Sequence, residues 1–215
     1  MSAAPTLDEG DVLIATDVQV DFCPGGALAV PDGDAVVPVI NRLGRTFPHV
    51  LVTQDWHPPG HVSFASAHEG KEPNDTIETE YGEQVLWPDH CVRATEGAEL
   101  HPDLELPTAE LIIRKGYHHG LDSYSVFFEN DRATPTGLGG YLRERGLRRL
   151  FFAGLATDFC VLYSALDGVR LGFEVFVIED ACRGIDLDGS LAAALEQMDE
   201  AGVRRIASAD IGGAA

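Results

Sequence analysis

Lysine is nearly absent. Only Lys71 and Lys115 stand among 15 basic side chains, against 35 acids in 215 residues. The formal charge of -20 disfavours a nucleic-acid partner, because phosphates would be repelled. Such a bias fits either a salt-adapted surface or a coding bias, and it makes each lysine a weak pointer to a required role. No apolar run approaches the roughly 20 residues of a spanning helix, so no membrane partner is expected. The opening MSAAPTLDEGD lacks the basic and apolar regions of a secretory leader. The four cysteines, at 23, 91, 160 and 182, form no CxxC pair and read as free thiols. A cytoplasmic location follows as the expectation. With 45% apolar and 23% charged residues the chain is not a disordered one. Its length predicts one domain over 1–215.

Short apolar runs alternate with helical patterns. The runs are VLIATD (12–17), HVLVTQD (49–55), ELIIRK (110–115), RLFFAG (149–154), EVFVIED (174–180) and VRRIAS (203–208). Each suits a strand buried on both faces of a parallel sheet. Helical spacing of apolar residues predicts helices over 34–45, 137–145, 158–171 and 190–201, the last with Ser190 as its cap. This alternation predicts an α/β sandwich with a mainly parallel sheet. The stretch 56–107, rich in Pro, Gly and His, reads as long excursions rather than core.

Ligands bind at the carboxyl ends of strands in such sheets. Asp17, Asp55, Lys115 and Cys160 all fall at or just past such an end. Cys160 opens a helix, where the dipole and unpaired N–H groups lower a thiol's pKa and can hold an oxyanion. The alternative is a buried first-turn cysteine serving as a small hydrophobe. A cysteine nucleophile needs a base, which Asp17 can supply. As a mere loop cap, Asp17 is a poorer candidate than Asp21. Lys115 can keep a thiolate or a carboxylate charged, or can be a solvated strand-end lysine. Asp55 and His57, one residue apart in an extended segment, project to one side. With His90 from a Pro-containing turn they suit Zn, Mn or Fe(II). The alternative makes His57 and His61 ordinary loop residues.

The set DVQVDF, QDWHPPGHVSF, LWPDHC, RKG and GLATDFCV, in order from 11 to 206, resembles the nicotinamidase/pyrazinamidase family of isochorismatase-like cysteine hydrolases. The resemblance implies a three-layer α/β sandwich around a six-stranded, mainly parallel sheet. It implies a catalytic triad of Asp17, Lys115 and Cys160. It implies an oxyanion hole at Ala156 and Cys160, shaped by a cis Leu155–Ala156 bond. Metal ligands would be Asp55, His57 and His90, and the substrate ring would be flanked by Phe22, Leu28 and Trp87. The implied activity is hydrolysis of nicotinamide to nicotinate and ammonia, through a cysteine thioester, in NAD salvage, with pyrazinamide as an analogue. One divalent ion, zinc first and manganese or iron next, would bind the pyridine nitrogen. Assembly is open, with a homodimer or small homo-oligomer compatible. A second reading is a related cysteine hydrolase acting on another amide, carbamoyl or ureido compound. A third, a metal-binding scaffold without turnover, sits badly with an intact Asp–Lys–Cys set. His61 reads as a neighbour of the metal ligands rather than one of them. The long acidic segment 69–85 reads as a lid or an oligomer contact.

Overall fold

Strand β1 (Asp11–Thr16) is the centre of the molecule, and all six of its residues are buried. In the computed structural model, which describes residues 5–212, the elements follow in chain order. They are α1 (Val37–Gly44), β2 (His49–Asp55), β3 (Thr76–Thr79), β4 (Gly82–Val85), β5 (Ala109–Lys115), α2 (Leu138–Glu144), β6 (Arg149–Leu155), α3 (Leu162–Arg170), β7 (Glu174–Arg183), α4 (Ser190–Ala201) and β8 (Arg204–Ile206). Six strands form one sheet in the order β5-β2-β1-β6-β7-β8, and every pairing in it is parallel. The expected architecture is therefore present.

The period-2 pleat sorts the apolar runs onto two faces. Leu13, Ala15, Val50, Val52, Phe151 and Phe176 join α1 residues Val37, Ile40 and Leu43 on one side. Val12, Ile14, Leu51, Leu150, Phe152 and Val177 meet Leu138, Leu142, Ala165, Ala194 and Met198, from α2, α3 and α4, on the other. Asp11 is buried at the start of β1, where the Arg149 guanidinium of β6 grips both its oxygens at 2.5 Å. No helix among the described residues is long and apolar enough to cross a membrane.

Several expectations are corrected. The run ending in Lys115 is an edge strand, with alternating exposure, rather than one buried on both faces. Asp17 lies just beyond β1 in the left-handed region, at φ 48°, which turns its side chain out of the sheet's pleat. The helix predicted from 158 begins instead as a π-turn over Thr157–Val161 before α3. Ser190 is the first helical residue of α4, not its cap; Gly189, at φ 86°, holds the cap position. The excursion 56–107 is not all surface, since Phe64 and Leu86 are completely buried. Within its acidic segment β3 and β4 form an antiparallel hairpin. All four cysteines are unpaired and buried.

Sheet order positions the site. From β1 the chain builds outward through β2 and β5, then returns to the other side of β1 for β6, β7 and β8. The reversal leaves a crevice at the carboxyl ends of β1 and β6. Gly154 lets these two strands close there. It sits at φ 126°, and a Cβ on it would come within 2.0 Å of the Thr16 carbonyl oxygen. Gly154→Ala should therefore lower stability by about 3 kcal/mol or more, measured by urea unfolding; a loss under about 1 kcal/mol would show that the strands can part at low cost.

Candidate active site

Four strand ends meet around one buried ammonium. Lys115, from the end of β5, is completely buried. Its Nζ lies 3.0 Å from Asp17 Oδ2 and 3.4 Å from Cys160 Sγ, donates to the Ser123 carbonyl at 2.9 Å, and contacts Asp55 Oδ1. Asp17 follows β1, Asp55 ends β2, and Cys160 sits in the π-turn after β6. The other Asp17 oxygen accepts the Thr53 hydroxyl. Oδ2 faces the ammonium and accepts no other donor.

The charges of this group follow from burial and contact. Burial alone would push the Lys115 amine down; Asp17 and Asp55 outweigh it and hold the amine well above its ordinary value. Burial raises the Asp17 carboxyl, against the pull of Lys115. Burial also raises Asp55, but Lys115 and His57 more than reverse this and leave it lowered. The Cys160 thiol is raised well above its ordinary value by burial, opposed by Lys115 and reinforced by Asp17. This corrects the expectation of a helix terminus lowering it. Desolvation dominates, so the resting thiol keeps its proton and needs the neighbouring carboxylate to give it up.

On the far side of Asp55 two imidazoles converge on its free oxygen. His57 Nε2 lies 3.6 Å and His90 Nε2 3.9 Å from Asp55 Oδ2. The three donor atoms lie within 4.8 Å of one another, and all three residues are buried. The remaining ring nitrogens are tied down: His57 Nδ1 to the Gly116 carbonyl and His90 Nδ1 to the Pro88 carbonyl, each at 2.8 Å. A carbonyl can only accept, so Nδ1 carries the hydrogen and Nε2 is turned toward Asp55. Burial would push the His57 imidazole down, but Asp55 outweighs it and raises it, so a cation bound here would displace a proton from His57. Oriented imidazoles and a shared carboxylate fit a divalent cation. Burial pushes the His90 imidazole down to about 4, which favours the neutral form a metal ligand requires. His61 stands outside this set. It stacks on His57 at 4.3 Å, with Nδ1 against the Ser63 hydroxyl and Nε2 against the Leu121 carbonyl. With His57 and Asp122 it forms a second group of close donor atoms.

Three motif residues explain themselves in the structure. Gln19 accepts the Asp55 N–H at 2.8 Å and donates to the Asp55 carbonyl at 2.8 Å and the Ala98 carbonyl at 2.9 Å. It pins the backbone of the carboxylate that faces His57 and His90. Asp21 accepts the Cys91 N–H at 2.7 Å and so fixes the residue after His90. Gly116, at φ 64°, leaves room for His57, since a Cβ there would stand 2.5 Å from His57 Cε1.

A slot runs between the two clusters. Phe22, Leu28 and Trp87 line it, as do Ala156, Cys160, His57 and His90. The Leu155–Ala156 peptide bond is cis. Sequence reasoning missed Tyr124, Phe159, Ile185 and Asp122, which line the same slot. Phe159 was legible as the neighbour of Cys160 and meets Trp87 edge-on at 4.9 Å. Tyr124 carried no signal; its phenol oxygen accepts the Trp87 indole N–H at 3.1 Å.

Fold and site together define an α/β domain with a thiol, an acid and a lysine facing three close donor atoms that could hold a cation. The sequence profile of the isochorismatase domain matches residues 11–210, and the chain belongs to that family. A nicotinamidase of Acinetobacter baylyi is 56% identical over 199 residues, covering 93% of each chain. An Acinetobacter baumanii nicotinamidase/pyrazinamidase structure superposes with TM-score 0.94 at 56% identity, covering 94% of this chain and 98% of that one. An L. infantum structure in complex with nicotinate gives TM-score 0.86 at 38% identity, covering 97% and 98%. A Pyrococcus horikoshii pyrazinamidase in complex with zinc gives 0.75 at 35%, covering 92% and 99%. Within its family the chain stands on the nicotinamidase/pyrazinamidase branch, among amidohydrolases.

Lys115→Met should strip the cation from two buried carboxylates. A loss of about 3–5 kcal/mol is expected by urea unfolding of metal-free protein near neutral pH. Without the cation, the folded-state pKa of each carboxyl rises, so the folded variant takes up protons on acidification. The deficit should therefore shrink from pH 8 to pH 5. A pH-independent deficit would contradict the charge arrangement.

Proposed function

We propose that the chain hydrolyses nicotinamide to nicotinate and ammonia, with Cys160 as nucleophile, and accepts pyrazinamide in the same slot. The observation that carries this is the Asp17–Lys115–Cys160 contact on one side of a ring-lined slot and the Asp55–His57–His90 group on the other. The A. baylyi relative named a nicotinamidase and the L. infantum structure holding nicotinate support the substrate. Conversion of nicotinamide to nicotinate fits a role in NAD salvage. The four unpaired thiols support a cytoplasmic location.

Phe22, Leu28 and Trp87 hold the ring, and the amide carbon lies toward Cys160. Asp17 takes the thiol proton as sulfur attacks, because a neutral thiol is a poor nucleophile. Lys115 stays charged and holds the Asp17 carboxylate toward sulfur. Backbone N–H groups at Ala156 and Cys160 receive the carbonyl oxygen as it gains charge. As the C–N bond breaks, Asp17 returns the proton to nitrogen and ammonia leaves. Asp17 then takes a proton from water, whose oxygen attacks the thioester. The C–S bond breaks, the acid departs, and sulfur recovers the proton. Asp55, His57 and His90 would hold a divalent ion, which when bound would supply a Lewis acid for the ring nitrogen. Zinc is the ion we assign, on the P. horikoshii complex and the Asp/His/His donor set.

Two variants test the division of labour. Cys160→Ala should lower ammonia release from nicotinamide by at least about 1,000-fold while metal content is unchanged; near wild-type turnover would sink the nucleophile. His57→Ala should lose the metal by elemental analysis while Cys160 still reacts with iodoacetamide. Full metal content in that variant would refute the ligand set.

A further inference from the structure

One buried carboxylate next to the thiol serves neither cluster. Asp158 lies two residues before Cys160 and is 3% exposed, and it is not among the partners of the Lys115 ammonium. It accepts the Ile185 N–H at 2.9 Å, the Asp186 N–H at 2.7 Å and the Ser190 hydroxyl at 2.5 Å. Two of the donors, Ile185 and Asp186, belong to the connection from β7 to α4, and the third, Ser190, is the first residue of α4. That connection is conformationally demanding: Asp186, Asp188 and Gly189 have φ of 57°, 50° and 86°. Non-glycine residues there need an outside restraint. The connection carries Ile185, which lines the ring slot, and three hydrogen bonds accepted by one buried carboxyl group are a strong restraint.

We propose that Asp158 is a positioning residue that clamps the 184–190 turn to the thiol's own turn, so that Ile185 closes one side of the ring slot. The segment Asp158–Phe159–Cys160 then does three things in consecutive residues. The first anchors a wall, the second is a wall, and the third reacts. A wall contact acts on bound ring in ground state and transition state alike, so its loss raises KM rather than lowering kcat.

The kinetic test rests on the nicotinamide reading; the clamp itself does not. Wild type, Asp158→Asn, Ser190→Ala, Ile185→Ala and the Asp158→Asn/Ile185→Ala pair are compared in metal-replete protein. Asp158→Asn and Ile185→Ala should each raise KM for nicotinamide about tenfold with kcat within about threefold of wild type. The pair should be no worse than the weaker-binding single variant, because both remove the same wall. Ser190→Ala, which loses one of the three bonds at a residue outside the slot lining, should fold normally and give a smaller KM rise. It keeps the test alive if Asp158→Asn does not fold. Alkylation of Cys160 by iodoacetamide should be unchanged throughout. Hydrogen exchange at the Ile185 and Asp186 amides should quicken in Asp158→Asn, or in Ser190→Ala in its place. A kcat and alkylation loss at constant KM, additive effects in the pair, or unaltered exchange would each overturn the proposal. If wild type itself releases no ammonia, the nicotinamide reading fails, and exchange alone decides whether Asp158 is the clamp.

Discussion

A fully buried ammonium between two buried carboxylates is the constraint on which the rest of the structure depends. A lone charge at that depth would be driven neutral by desolvation. Lys115 stays charged because Asp17 and Asp55 face it, and Asp55 stays ionised because Lys115 faces it. Each member makes burial of the others tolerable, and removing one strands the rest. The three come from the ends of β1, β2 and β5, with sulfur arriving from beyond β6. The sheet order is what brings them within reach. β1 has β2 on one side and β6 on the other, so the acid stands between the lysine's strand and the thiol's.

The surrounding polar residues act as braces rather than reactants. Thr53 fixes one Asp17 oxygen and leaves the other for Lys115 and the thiol. Gln19 grips the Asp55 backbone from both sides, and Asp21 reaches the residue beside His90. DVQVDF is thus one segment in which alternate residues serve the acid, the carboxylate's backbone and the histidine's turn. The segment is not a strand: the left-handed Asp17 and the 3-10 turn over Val20–Phe22 aim these side chains at their three partners. This bracing explains why polar residues lie almost fully buried where an apolar core would otherwise be expected.

Much of this was legible because chemistry at strand ends leaves a linear trace. Four of the six strand runs end in, or are soon followed by, a residue that can carry charge or attack, and the structure brings those four, Asp17, Asp55, Lys115 and Cys160, together. What stayed hidden is what depends on the third dimension. ELIIRK reads as fully buried because its composition is apolar, but its place at the sheet edge exposes one face. Tyr124 and Ile185 reach the slot from connections whose path no periodicity encodes. Ser190 looked like a cap because its type suits one; instead its hydroxyl goes to Asp158, which only the folded turn brings near. The Cys160 thiol was misjudged for a related reason. A helix start is visible in sequence, whereas burial beside two carboxylates is not.

Asp55 shows why the two clusters are not independent. One carboxylate divides its oxygens, Oδ1 to the Lys115 ammonium and Oδ2 to the imidazoles of His57 and His90. Its backbone is locked by Gln19, so neither oxygen can swing to the other task. The separation between the thiol and the cation site is therefore set by a single rigid group rather than by two loops that drift apart. The proposed hydrolysis, with a ring held at one end and attacked at the other, needs that fixed span, since small displacements in a reacting geometry are costly. Placing the shared residue at the end of a central, doubly buried strand gives the span the stiffness of the sheet itself.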